Sequence, residues 1–166
     1  MIMKKNIVNK IANYLPVMMI TFIVCGITYF TLEMIFRGRS DWTMFVCAGL
    51  IGLIASLLNN FFTFDMLLQW QLGISAMIAT AIEGITGIIL AYFNNGVNPV
   101  WDYSQLWGTF CYGQCNVFFC IIWGVLSFIA ILIGDSIEYY IFNEGERPYY
   151  CINLHRVWFW LPRKTW

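Results

Sequence analysis

Four long apolar runs constrain this chain more than any other feature. They extend from about Tyr14 to Phe36, Trp42 to Leu58, Met66 to Phe93 and Asn116 to Gly134. A helix of about 20 mostly apolar residues crosses roughly 30 Å of hydrocarbon, with its backbone polar groups satisfied inside the segment. Barrel strands would instead show short, alternating segments. The sequence therefore predicts an all-α integral membrane protein built as a four-helix transmembrane bundle.

Composition closes the other routes. Only 11% of the 166 residues are charged, nine Lys/Arg against nine Asp/Glu, where soluble domains carry about 25%. Eighteen charges cannot coat the surface that a domain of this size leaves in water. A soluble enzyme, a basic nucleic-acid binder and a disordered chain are excluded as readings. The six cysteines are expected to be structural: Cys25, Cys47 and Cys120 lie within apolar runs, where a thiol behaves as a small hydrophobe. Cys111 and Cys115 would share one face of a helix, and with His155 alone they do not make a zinc site. Neither a metal nor a cofactor is expected.

Lys/Arg bias sets the expected orientation. Lys4, Lys5, Lys10, Arg147, Arg156, Arg163 and Lys164 collect on one side, and only Arg37 and Arg39 on the other. This places both termini in the cytoplasm of a cell (inner) membrane. The first run reads as an uncleaved anchor, because it is long and lacks a small-residue cleavage pattern. Residues 1–150 form the four-span domain. Residues 151–166 form a tail in which Trp158, Phe159, Trp160 and Trp166 mix with Arg156, Arg163 and Lys164. Such a tail reads as an anchor on an anionic leaflet, or alternatively as a docking surface for a soluble partner.

The connection after the third run is the least regular part of the chain. Asn94-Asn95-Gly96 and Asn98-Pro99 are turn signals. Trp101, Asp102, Tyr103 and Ser104 follow as a candidate loop site, with Asp102 expected to cap a helix. Leu106 to Gln114 is too short to span, and predicts an interfacial or re-entrant segment before the fourth helix.

Helices in lipid associate where small residues allow close approach. The second span carries Ala48, Gly52 and Ser56 at spacing four; the third carries Ser75, Ala79, Gly87 and Ala91, with Glu83 completing its row. Packing these stripes together predicts a tight hairpin of spans two and three with Glu83 inside. An acid at depth costs at least about 2.5–3.5 kcal/mol and normally faces protein or water. Glu83 thus either hydrogen-bonds a neighbouring helix or binds or conducts a cation or proton. Glu33 is the second candidate for an intramembrane polar site, with surface pairing to Arg37 one turn on as its alternative. Asp135, followed by Glu138, reads as solvated at the end of the fourth span.

Several short segments occur in an order that suggests a family. They are Gly26 to Gly38 with Glu33 and Arg37, Asp41-Trp42-Thr43-Met44-Phe45, Glu83-Gly84-Ile85-Thr86-Gly87, Trp101-Asp102-Tyr103-Ser104, Gly113-Gln114 and Glu146-Arg147-Pro148-Tyr149-Tyr150. Over roughly residues 26–150 the chain resembles the bacterial ABC-transporter type IV permease family, the CmpB-like small membrane proteins. It departs from that pattern after Ser104, where Leu106 to Tyr112 stands in place of an Asn and a Pro. The resemblance implies a multi-pass inner-membrane protein of the transport-permease kind, with a separate ATPase subunit as a possible partner.

The expected function is a transport permease or permeation component of unassigned substrate, acting alone, as a homo-oligomer or with an ATPase. The alternatives are a structural or regulatory membrane protein that binds partners, and a holin-like pore former. No Walker A, HExxH, GxSxG or GxGxxG pattern occurs, so the chain is not expected to be an enzyme. Its expected surroundings are the lipid bilayer, without nucleic acid.

Overall fold

The computed structural model describes residues 2–62, 64–144, 146–152 and 158–164. Helices α1 (Ile2–Arg37), α2 (Trp42–Ser56), the single turn α3 (Leu58–Phe61), α4 (Leu68–Phe93) and α5 (Val117–Ser136) hold most of the chain. Two small antiparallel hairpins complete it: β1 (Thr109–Phe110) with β2 (Cys115–Asn116), and β3 (Tyr149–Cys151) with β4 (Trp158–Trp160). Four helical stretches are long and apolar enough to cross a membrane: Tyr14–Arg37, Trp42–Asn60, Leu68–Phe93 and Val117–Ile141.

The distribution of side chains inverts that of a soluble domain. Leu15, Met19, Ile23 and Ile27 recur every four residues along α1 and are exposed, while Thr21, Gln71, Ser75, Glu83, Ser127 and Asp135 are buried. Apolar outside and polar inside is the arrangement a bilayer solvates, since hydrocarbon gains nothing from hiding leucine but penalises every unsatisfied polar group. The chain is a four-helix membrane bundle.

Local chemistry sets the helix starts. The Asp41 side chain accepts from the Thr43 amide at 2.8 Å at the head of α2, and Asn116 does the same for Phe118 at the head of α5. Both satisfy donors that a helix leaves open. Beyond Ser136, α5 widens into a turn over Ile137–Ile141, with the Phe142 amide donating to the Ile137 carbonyl at 3.2 Å.

Small residues decide the packing, but not in the expected pairs. α2 lies most extensively along α1. A Cβ at Gly26 would come within 2.8 Å of Phe45, one at Gly49 within 2.9 Å of Phe22, and one at Gly52 would meet Cys25. The stripe of α2 then turns to α5, where Gly134 sits against Ser56. Ala48 and Ala79 share one cluster with Trp123, the main point at which the two expected stripes meet. The predicted tight hairpin of the second and third spans is corrected accordingly: α1 and α5 take up the small face of α2, because Gly26, Gly49 and Gly134 let those backbones approach it first.

The connection from α4 to α5 forms no helix. It dips back along α4 as a re-entrant hairpin. Gln114 packs on Gly87, and Cys115 lies against Gly84 and donates to the Thr80 carbonyl at 3.5 Å. These α4 positions lie 6 to 13 residues before Phe93, so the hairpin descends about 9–20 Å along the helix axis. Irregular backbone at that depth must satisfy itself, and it does so in several places. Tyr103 donates its amide to Gly113 at 2.9 Å, Gln114 to Cys111 at 3.1 Å, and Val117 to Gly108 at 3.1 Å. Asp102 closes a turn with the Ser104 amide at 2.8 Å, and caps no helix.

The C-terminal segment folds onto the end of the bundle marked by Tyr14. Tyr150 is fully buried in a cluster with Ala55, Ala130 and Ile131. The expected division between residues 150 and 151 falls inside β3, which pairs with β4. Of the tail residues expected to anchor the chain, Phe159 and Trp160 are about half exposed, and Arg147 stacks over the Trp160 ring at 5.3 Å. His155, Arg156 and Trp166 lie outside the described residues.

Candidate functional site

Glu83 occupies the buried row of α4, with Gln71, Ser75 and Ala79 on one side and Gly87 on the other. Helical spacing of four makes this row continuous. Glu83 is 1% exposed, and its position ten residues before Phe93 puts it about 15 Å inside a helix about 39 Å long. It therefore lies near the middle of the span. Five other elements reach it or its immediate surroundings. The Tyr103 hydroxyl donates to Oε1 at 3.0 Å from the re-entrant connection. The Trp123 indole of α5 interacts with the carboxylate, and Tyr29 of α1, Cys47 of α2 and Cys115 of β2 are close enough to sense its charge. Glu83 Oε2 has no hydrogen bond of standard geometry among the described residues.

Tyr103 is held from several directions. Its ring stacks on Phe119 at 4.4 Å, and its carbonyl accepts from the Thr109 hydroxyl at 2.6 Å. Trp101, 5% exposed, donates its indole N–H to the Gln114 carbonyl at 3.0 Å, and Asn98 donates to Gln114 Oε1 at 2.7 Å. Cys111 and Tyr112 take positive φ values of 49° and 55° at the hairpin tip, just before Gly113 at 86°. Side-chain-bearing residues adopt that conformation only where the surroundings enforce it. Burial and the neighbouring Glu83 carboxylate push the Tyr103 hydroxyl well above the ordinary tyrosine range, and burial pushes the Cys115 thiol up to about 12. Both groups therefore remain protonated, and Tyr103 remains a donor.

Of the four candidate loop residues, only Tyr103 touches Glu83. Trp101 braces the connection, and Asp102 and Ser104 bond each other at its turn. Glu33, 6% exposed, pairs with Arg37 as its spacing predicts and also accepts from the Ser40 hydroxyl. It is inside the protein rather than on its surface. Arg37, Ser40 and Glu33 line a polar cavity of about 150 Å³ together with Val100, and Tyr29 is near enough to sense both Glu33 and Glu83.

The reading of Asp135 as solvated is corrected. It is 3% exposed, and its Oδ2 accepts from Asn59 Nδ2 at 2.8 Å and from the Tyr150 hydroxyl at 2.6 Å. Burial and the Asp135 carboxylate push the Tyr150 hydroxyl well above its usual range, so it too stays a donor. The physical reason for the correction is the C-terminal hairpin, which covers the end of α5 that would otherwise meet water. One signal in the sequence pointed this way: Asp135 directly follows the apolar run of the fourth span, and Ile137, Tyr139, Tyr140 and Ile141 lie beyond it. Asn59 and Gln71 carried no such signal.

The fold and the three interior carboxylates, Glu33, Glu83 and Asp135, define a multi-pass membrane protein with a polar interior. No family model, curated protein or solved structure matches the chain.

Proposed function

We propose that this chain is a permeation component of a cell (inner) membrane, in which Glu83 is the group that the permeant meets. The observation that carries the reading is Glu83 Oε2, a deeply buried carboxylate oxygen with no standard hydrogen bond. An acid serving structure alone would have both oxygens satisfied, since each unsatisfied group in hydrocarbon costs several kcal/mol. A polar cavity at Glu33 and Arg37 lies on the side of the bundle where Tyr29 senses both Glu33 and Glu83, which supports access from that face. The resemblance of the segments around Glu83 and Trp101 to a transport-permease family points the same way.

The Tyr14 end carries both the start of α1 and the C-terminal hairpin, since Tyr14 donates to Glu138 at 2.6 Å and Lys164 bonds Asn143. With six of the eight described basic residues on that side (Lys4, Lys5, Lys10, Arg147, Arg163 and Lys164), the positive-inside rule makes it cytoplasmic. The test is electrogenic flux in proteoliposomes, read with a voltage-sensitive dye. Glu83→Gln is expected to remove it while insertion and elution stay as in the wild type. Unchanged flux in the variant removes Glu83 from the path and the reading with it.

A further inference from the structure

Glu83 Oε2 is one of several buried polar atoms without a standard hydrogen bond among the described residues. Among the described residues, Asn59 Oδ1, Gln71 Oε1, Ser75 Oγ and Ser127 Oγ are also buried and make no hydrogen bond, and all four residues are at least nine-tenths buried. Native interiors leave few such atoms, and sites that hold several of them call for water.

Their placement is ordered. Ala79 and Trp123 meet in one apolar cluster, and Leu72, Ala130 and Ile131 meet in another. Ser75 lies on α4 between Ala79 and Leu72, and Ser127 lies on α5 between Trp123 and Ala130, so the two hydroxyls occupy the layer separating the clusters. Gln71 follows one turn further along the α4 row. Asn59 and Asp135 come next, one turn beyond Ile131, with the Tyr150 ring in the lower cluster and its hydroxyl on Asp135. From Glu83 to Gln71 and from Trp123 to Asp135 the separation is twelve residues each, or about 18 Å of helix. Fully buried Ala79 on α4 and Ile131 on α5 separate the polar members of the two rows, which stand about 6–12 Å apart along the helices and need single waters between them.

The row continues at both ends. On the Arg37 side Tyr29 senses both Glu83 and Glu33, and on the Tyr14 side Asp135 senses Glu138, which accepts from Tyr14 and Asn60. Around Glu83 the titratable neighbours are Tyr29, Cys47, Tyr103 and Cys115; around Asp135 they are Tyr150 and Glu138.

Size and chemistry select the permeant. The cavity beside Tyr29, Trp123 and Ser127 holds about 30 Å³, about the share of one water in the liquid; a larger one of about 550 Å³, lined by Ala76, Thr80, Gly84 and Cys115, includes none of the row residues. Along the row itself a solute larger than water does not fit. A dehydrated divalent cation needs six or more oxygens, whereas each level of the row offers one or two, and Arg37 stands at the mouth. Hydroxyls, amides and single waters are instead the parts of a proton relay.

We propose that the row Glu83, Ser75 with Ser127, Gln71, and Asn59 with Asp135 conducts protons across the bundle, Asp135 being the acceptor on the Tyr14 side. This rests on Glu83 being the permeant-binding group. Waters and the serine hydroxyls carry the proton, one O–H bond breaking and one forming at each hop, while the Gln71 and Asn59 amide oxygens hold those waters by accepting hydrogen bonds. One proton leaves the Glu83 carboxyl, the relayed proton arrives on the Asp135 carboxylate and passes on to Glu138, and nothing is oxidised or reduced.

The experiment uses the full chain in liposomes that hold a pH-sensitive dye, with a potassium diffusion potential set by valinomycin and a voltage dye in parallel. Wild-type vesicles are expected to acidify, and Glu83→Gln and Asp135→Asn each to slow the initial rate by about a hundredfold, the scale of a lost proton-transfer group. Ser127→Val, which removes a relay hydroxyl without touching either acid, is expected to slow it as well. Proton flux retained in Asp135→Asn overturns the path. Should that variant fail to assemble, Ser127→Val decides alone, and an unchanged rate there overturns it. Charge movement that is lost in Glu83→Gln but never accompanied by a pH change overturns the proton path and leaves the Glu83 reading standing. Wild-type vesicles that move no charge overturn both.

Discussion

The hydroxyl of Tyr103 donates to Glu83 Oε1 across 3.0 Å, from a connection that leaves α4 ten residues beyond the carboxylate and returns to it. A charge-assisted hydrogen bond of this kind contributes about 1.5–3 kcal/mol. Tyr103→Phe keeps the ring stacked on Phe119 and deletes only the donor. The variant is expected to lose about 1.5–3 kcal/mol of stability, seen as a lower melting temperature in detergent. An unchanged melting temperature would show that the connection is held by the Trp101, Asn98 and Gln114 contacts alone.

Asp135 gathers Asn59 and Tyr150 into one buried cluster. Replacing it by an apolar residue strands both donors at about 1–3 kcal/mol each. Asp135→Leu is therefore expected to be the more damaging change, and Asp135→Asn, whose amide oxygen still accepts, the milder one. Equal losses in thermal unfolding would contradict the hydrogen-bond account of this corner.

Close helix contacts can be separated from open ones by adding one carbon. A Cβ at Gly134 overlaps the Ser56 side chain, whereas one at Gly73 meets nothing within 4 Å. Gly134→Ala is expected to cost about 1–3 kcal/mol through overpacking. Gly73→Ala, at an exposed position, is expected to stay within about 0.5 kcal/mol. Thermal stability of the two variants, prepared side by side, tests the α2–α5 contact at Ser56 and Gly134; similar values would place that contact elsewhere.

The Cys115 thiol, pushed up by burial to about 12, links stability to pH. Its protonated form is favoured in the folded state, so its contribution is fully present below the ordinary thiol value of about 8.5. It is lost as pH rises from there toward 12. Melting temperature is expected to fall across this window, and Cys115→Ala to flatten the slope at its lower end, before the tyrosines join. Identical slopes for variant and wild type would remove Cys115 as the cause.

The sequence by itself determined what depends on local pattern. Apolar length placed the spans within two residues of Tyr14–Arg37, Trp42–Asn60 and Leu68–Phe93, but ended the fourth at Gly134, seven residues short of Val117–Ile141. The period-four row on α4 marked Ser75, Ala79, Glu83, Gly87 and Ala91 as one face; the first four are buried and Ala91 is half-buried. The i,i+4 spacing of Glu33 and Arg37 gave their pairing. A helix fixes its own faces, so these features need no knowledge of neighbours.

Only the tertiary structure decided what those faces meet. The small face of α2 went mainly to α1 and α5, because several glycine partners were available and spacing alone does not rank them. Tyr103 reaches Glu83, and Tyr150 reaches Asp135, through hairpins whose left-handed residues and side-chain braces have no periodic signature. Whether an acid at a helix end meets water or protein depends on what folds over it. For Asp135 that cover is β3, a strand held by a partner that the chain supplies only at Trp158–Trp160.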